Sequence, residues 1–345
     1  MLENNTRTDL STLGEFGLID LLTTNIQIHH AATIKGAGDD AAVIKYEANE
    51  CTVASTDLLL EGVHFDLSYF PLKHLGYKAV VVNLSDICAM NATPTHITVS
   101  LGLSSKFSLE AVEELYAGIL MACNRYKVDL VGGDTSASKQ GLVISITAMG
   151  VAKQENIVYR NGASENDLLC VTGDLGGAYI GYQLLEREKR VYLTNPEAQP
   201  DLEGHDYILE RQLKPEARVD IIQKFQELHI KPTSMMDVSD GLSSEIFHLC
   251  SKSEVGMNLF EEKIPIDPMT YNIAREMDLD PTLAALSGGE DYELLFTISQ
   301  SDYDKIKSDL DITVIGHCTD KKEGIHMISK SGNKHVLKAQ GWKAF

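Results

Sequence analysis

"LGYKAVVVNLSDICAM", residues 75–90, is the stretch on which the fold turns. Three successive valines favour a strand, because a side chain branched at Cβ loses rotamer freedom in a helix. Against that stand its length, the helix formers near its end and the spacing Leu75, Ala79, Val82 and Asp86, which returns to one side of a helix. We read it as a helix that carries Asp86. Strand-like runs flank it at "CTVAST" (51–56), "HITVSLGL" (96–103), "VDLVGG" (128–133) and "GLVISITAMGVA" (141–152). "SLEAVEELYAGILMACNRY" (108–126) reads as an amphipathic helix with Ser108 as N-cap. Its expected apolar face is Leu109, Val112, Tyr116, Ile119 and Cys123.

After Val151 the texture turns polar in "KQENIVYRNGASENDL", which reads as a domain junction. A second α/β unit follows, with the strand "LLCVT" (168–172), a Gly-rich turn and the helix "AYIGYQLLEREKR". Residues 190–207, polar and Pro-containing, are expected to form a long surface loop, and the role of the wider 186–207 segment stays open. The fold class is therefore mixed α/β (α+β), with domains at 1–153 and 154–345.

Composition narrows the function. Of 345 residues, 43% are hydrophobic and 23% charged, as in a soluble globular protein. The polar start "MLENNTRTDL" carries no signal-peptide core, and no apolar run is long enough to cross a bilayer. We expect a cytoplasmic protein with no membrane partner. Six cysteines lie far apart without a C-x-x-C pair, which argues against a zinc finger or a disulfide framework. A formal charge of −20 offers no basic stripe to nucleic acid. Any anionic substrate must be met by local groups or by bound cations.

Some of that acidity is organised. In "KGAGDDAAVI" (35–44) two aspartates leave a glycine loop and run straight into apolar residues. Similar clusters are Ser55-Thr56-Asp57, Asn83-Leu84-Ser85-Asp86, Gly133-Asp134-Thr135 and Asp237-Val238-Ser239-Asp240. Each alone is more often a turn or a helix cap, and Asp240 could be a plain N-cap. Together they present only oxygen ligands, the preference of Mg²⁺ or Ca²⁺, and none fits an EF-hand. Magnesium with phosphates is the economical inference. No G-x-x-x-x-G-K-[ST] loop occurs, and Gly173–Ala178 lacks the dinucleotide spacing. By itself His64 reads as a partly buried histidine, Tyr116 as core, Arg160 as a junction residue or a phosphate fork, and Glu290 as part of a turn. Trp342, the single tryptophan, reads as a packing anchor.

In order, "GEFGLIDLL" (14–22), "GAGDDAAVI", "STDLLLEGVHFD", "KAVVVNLSDICAMNATP", "LVGGDTS", "YRNGA", "DVSDGLSSEI", "SGGEDYELLF" and "GWKAF" span nearly the whole chain. This series resembles the thiamine-monophosphate kinase family, within the aminoimidazole ribonucleotide synthetase-like (PurM-like) superfamily. The resemblance implies transfer of the γ-phosphoryl group of ATP to thiamine monophosphate. It implies a magnesium site at Asp39, Ser55, Thr56, Asp57, Asp86, Asp134, Asp237 and Asp240, with Asp40 in reserve. It further implies ATP contacts at Tyr116, Gly133, Asp134, Arg160 and Ser239, and a thiamine pocket at His64, Glu290 and Trp342. A homodimer whose N-terminal sheets pair is also implied. Alternatives are another ATP-dependent member of the superfamily, or a non-catalytic divalent-ion binder. Selenophosphate synthetase is disfavoured, because the first cysteine, Cys51, follows the first acidic loop.

Overall fold

The computed structural model describes residues 33–35, 39–45 and 49–338 of the chain. The strands of a first sheet are β1 (Thr33–Lys35), β2 (Ala42–Lys45), β3 (Glu50–Leu60), β4 (Thr93–Leu103), β5 (Asp129–Ala137) and β6 (Val143–Lys153). They lie in the order β1-β2-β3-β6-β4-β5, antiparallel except for the parallel pair β4–β5. On β6, Ile144, Ile146 and Ala148 are buried while Ser145 and Thr147 alternate onto the opposite face. Among the described residues, helices cover only the face that carries Ile144, Ile146 and Ala148.

The 75–90 stretch is helical: α1 spans Leu72–Ala89 and packs on the covered face. It is apolar all round and buried along most of its length, which is how a fully enclosed helix reads. Tertiary burial overrides the strand preference of Val80, Val81 and Val82. α2 (Leu109–Tyr126) begins as expected, with Ser108 Oγ accepting from the Ala111 N–H at 3.3 Å. Its buried stripe differs from the expected one. Leu115, Gly118, Ile119, Ala122 and Cys123 are buried, while Leu109 is 70% exposed. Two glycines cause the rotation. A Cβ on Gly118 would lie 1.8 Å from the Lys73 carbonyl, and one on Gly76 would lie 2.0 Å from the Leu115 carbonyl. The two helices therefore cross backbone to backbone.

A second sheet is built from β7 (Leu168–Thr172), β8 (Ser234–Asp237), β9 (Gly256–Phe260), β10 (Leu294–Ile298), β11 (Ile312–Thr319), β12 (Ile325–Ile328) and β13 (Lys334–Val336). Their order is β13-β12-β9-β11-β7-β10-β8. The helices of this half are α3 (Gly177–Thr194), α4 (Asp206–Leu213), α5 (Val219–Glu227), α6 (Leu242–Ser253), α7 (Pro268–Glu276), α8 (Pro281–Ser287) and α9 (Tyr303–Ile306). The expected loop at 190–207 is shorter than its sequence suggested. "VYLT" continues α3 to Thr194, Asn195-Pro196 ends it, and α4 restarts at Asp206. No helix among the described residues is long and apolar enough to cross a membrane.

α1 is the shared element. Cys88 and Ala89 pack with Phe225, Met235 and Phe296 of the second half, and Ser85 Oγ donates to Asp237 Oδ2 at 2.5 Å. Both sheets therefore position groups around one helix.

Candidate active site

A cavity of about 940 Å³ opens beside α1, and Lys78, Val82 and Asp86 line it at i, i+4 and i+8. At 1.5 Å of rise per residue these residues mark out roughly 12 Å along the wall. Carboxylates collect at the Asp86 end. Alternation along β3 turns Ser55 and Asp57 toward α1. Ser55 Oγ donates to Asp86 Oδ2 at 2.6 Å, and the Asp57 N–H donates to Asn83 Oδ1 at 3.0 Å. Asp237 arrives from the end of β8 and Asp40 from the turn before β2. Asp40, Asp86 and Asp237 each offer an oxygen within 4.8 Å of the others. Arg160 forks onto Asp40, with Nε to Oδ2 at 2.8 Å and Nη2 to Oδ1 at 2.7 Å. Its N–H donates to Asp39 Oδ1 at 3.2 Å.

The electrostatics are those of excess negative charge. Burial, then the neighbouring charges of Asp57, Asp237 and Asp40, push Asp86 well above the usual carboxylate range. Burial and then Asp40 raise Asp237 to about 7, burial raises Asp57 to about 6, and burial with Asp40 raises Asp39. One guanidinium does not neutralise such a group. A hard divalent cation fits it, because every donor is an oxygen. Ser239 and Asp240 also line the cavity, and their N–H groups donate to Glu245 Oε1 at 3.1 and 2.7 Å. Gly241, not Asp240, occupies the N-cap position of α6.

The other end is aromatic and internally paired. His64 Nδ1 accepts from the Leu60 N–H at 3.0 Å, which leaves the proton of the neutral ring on Nε2. Burial lowers its pKa, while the nearby Glu290 pulls the other way. Glu290 Oε1 meets Lys78 Nζ at 2.9 Å, and Gln212 Nε2 donates to Glu290 Oε2 at 3.0 Å. Tyr69, Phe70, Tyr179 and Tyr182 add aromatic wall, with Glu186 and Lys189 at its edge. The stretch "GGEDYE" divides its work. Glu290 faces the cavity, Asp291 accepts from the Gly176 N–H at the start of α3, and Glu293 pairs with Arg211 and Arg218.

Asp39, Ser55, Asp57, Asp86, Asp237, Asp240, Arg160, Ser239, His64 and Glu290 thus line one cavity. Thr56 borders it, but its hydroxyl lies on the uncovered face of β3, where it donates to the Ile146 carbonyl at 3.0 Å. Asp134 and Gly133 do not line the cavity. Asp134 is in register with Ser100, and Ser100 with Ser145, so it shares the uncovered face with Leu58. It stands three strands from β3, roughly 14 Å away. Tyr116 packs against the first core and is also outside the cavity. Trp342 and the 14–22 motif lie outside the described residues.

Asp86 sits within a helix, as its spacing predicted, and Asp57 within a strand, and both elements present these side chains directly into the cavity. Sequence reasoning also passed over Lys78, Gln212 and the tyrosines. The available signal was a lysine at the start of the apolar run of α1, two helical repeats before Asp86.

Comparison places this architecture in a class and then in a family. Residues 38–152 match the family described as AIR synthase related protein, N-terminal domain, which gives the class of that part of the chain. The thiamine-monophosphate kinase of Aquifex aeolicus (strain VF5) is 34% identical over 336 residues, 97% of this chain and 99% of its own length. That of Bacillus subtilis (strain 168) is 32% identical over 341 residues, 96% of this chain and all of its own. A solved structure described as AaThiL complexed with AMPPCP and TMP superposes with a TM-score of 0.83, at 32% identity over 99% of this chain and all of that one. The chain belongs to the thiamine-monophosphate kinase family.

Proposed function

We infer that the protein transfers the γ-phosphoryl group of ATP to the phosphate of thiamine monophosphate, giving thiamine diphosphate and ADP. One observation carries the reading furthest. A single cavity joins a buried carboxylate cluster to an aromatic end bearing His64 and Glu290, in a chain matched along its length by this kinase family.

The acceptor phosphate has a second pKa of about 6, so near neutrality it is already mostly a dianion and needs no general base. Positioning and charge neutralisation are what remain for the protein to supply. We propose that Asp39, Asp57, Asp86, Asp237 and Asp240, with Asp40 and Ser55, hold several Mg²⁺ ions. When bound, these would screen the two polyanions and polarise the transferring group. Arg160, already aligned as a fork on Asp40, is suited to accept a phosphate in the same bidentate manner. Ser239 offers polar contact from the adjoining loop. His64, Glu290 and Trp342 are assigned to the thiamine moiety, whose cationic ring suits a carboxylate and aromatic faces.

Asp134, Gly133 and Tyr116 need another arrangement, since this chain keeps them away from its own cavity. We propose a homodimer in which the uncovered faces of two first sheets meet. Leu58, 52% exposed, and Val131, 56% exposed, lie on β3 and β5 of that sheet. Within each subunit the domains are taken as 1–153 and 154–345, and the enzyme acts in the cytoplasm, where ATP is supplied. The test is single-turnover transfer from γ-labelled ATP to thiamine monophosphate, with Mg²⁺ and then with chelator. Metal-dependent thiamine diphosphate is the expected product. A folded, ATP-binding protein that transfers nothing would overturn the assignment of the acceptor.

A further inference from the structure

Lys78 is 1% exposed, yet it carries a charge in the middle of the apolar α1. A buried ammonium is tolerated only with close compensation. Three groups surround it: the Glu290 carboxylate at 2.9 Å, the Gln212 carbonyl at 3.0 Å and the Phe70 ring with its centroid at 5.5 Å. Gln212 closes the set, donating from its side-chain amide to the other Glu290 oxygen at 3.0 Å. Both oxygens of Glu290 are therefore gripped.

The backbone beneath Glu290 is not one an ordinary residue adopts freely. Gly289 has φ 71° and Glu290 has φ 59°. A Cβ on Gly289 would sit 2.4 Å from the Ser239 carbonyl, which accepts the Glu290 N–H at 2.7 Å. A left-handed non-glycine residue persists only where its surroundings over-determine it. Here one side is the loop that carries Ser239 and the other is the side-chain grip of Lys78 and Gln212.

We propose that Lys78 is a positioning residue that fixes Glu290 and thereby sets the affinity of the enzyme for its acceptor, without touching the transferring phosphoryl group. This rests on the assignment of Glu290 to acceptor recognition made above. Geometry separates Lys78 from the chemistry: Asp86 marks the carboxylate end of the same rigid helix, roughly 12 Å further along it. The helix thus holds the two ends of the cavity at a fixed distance. A lysine suits the task because its long apolar stem can stay buried while its head reaches the Gln212 carbonyl of α4 and the Glu290 carboxylate.

The test is steady-state kinetics of K78M, E290Q and the K78M/E290Q double variant, with ATP and thiamine monophosphate varied separately. K78M is expected to raise the acceptor KM about tenfold, with kcat within about threefold and the ATP KM unchanged. The double variant is expected to be no worse than the poorer single, because both remove one coupled unit. K78R should recover part of the lost affinity. A kcat loss of about a hundredfold or a shifted ATP KM in K78M would place Lys78 on the phosphates and overturn the proposal. Additive losses in the double variant would overturn it equally. Should K78M not fold, Q212L removes the second grip on Glu290; an unchanged acceptor KM there would also refute the positioning role. Failure of wild-type transfer is a separate result, read before any variant, and refutes the acceptor assignment instead.

Discussion

The two ends of the cavity differ in how their charge is balanced. At the Asp86 end, Asp57, Asp237 and Asp86 stand close together with their carboxyls held above the usual range, and Arg160 answers only part of the charge. At the Lys78 end each carboxylate has a cation beside it: Glu290 has Lys78, while Asp66 and Glu186 have Lys189. The first end is incomplete without added positive charge, and the second is finished in the protein alone. A site that must gather polyanions is left unneutralised where ions arrive, and paired where an organic group is only recognised.

Breaking the carboxylate end should have the largest effect. Asp86→Ala or Asp57→Ala is expected to reduce turnover by about a thousandfold or more, with the circular dichroism spectrum and ATP-independent solubility retained. Near-normal activity in either variant would remove the cluster from the chemistry. Asp134→Ala is expected to do the same if a second subunit brings that residue to the site. Mixing inactive D134A with inactive D57A subunits should then restore part of the activity in the hybrid dimer.

At the paired end the effect should be smaller and confined to the acceptor. Glu290→Gln is expected to raise the KM for thiamine monophosphate about tenfold, while the ATP KM stays put. A change confined to ATP would erase the distinction between the ends.

Stability offers a third comparison. Asp57 at about 6 and Asp237 at about 7 lie above the 3.8 of an ordinary aspartate. Between pH about 4 and 7 the folded protein therefore holds protons that the unfolded chain has released, so stability falls as pH rises through that window. In metal-free buffer the melting temperature should drop from about pH 5 to about pH 8, and Mg²⁺ should raise it more at the higher pH. Equal Mg²⁺ effects at both would contradict a proton–metal exchange at the cluster. The smallest expected change to chemistry is that of Gly118→Ala. It should cost about 1–3 kcal/mol in a denaturation experiment by forcing α2 off α1, with KM values preserved if the remaining fold is intact.

How much was legible depended on the range of the interaction. The β7 strand at Leu168–Thr172 and the Ser108 cap could be read locally, since a short apolar run bounded by turn residues and a side-chain oxygen at a helix start are local signals. The stripe on α2 could not be read, because a glycine seam is visible only once the partner backbone is known. The 190–207 segment misled at its start, because Val191, Tyr192 and Leu193 extend α3 as an exposed last turn that no buried stripe announces. Among site residues, the acidic motifs announced themselves by type. Lys78 and Gln212 did not, since their meaning lies in partners distant in sequence, 78 positions for Gln212 and Glu290 and 134 for Lys78 and Gln212.

By itself, then, the sequence determined which residues could bear chemistry: oxygen-rich acidic motifs, an apolar helix through "KAVVVNLSD" and a family pattern spanning nearly the whole chain. Only the tertiary structure decided which of them share a space. It put Asp57 and Ser55 on one face of β3 and Thr56 on the other, brought Asp237 from a different sheet to Asp86, and left Asp134 on the far side. The reason is physical. Residue type is a local property, whereas the face, register and crossing that bring side chains together are settled by burying two sheets against one helix.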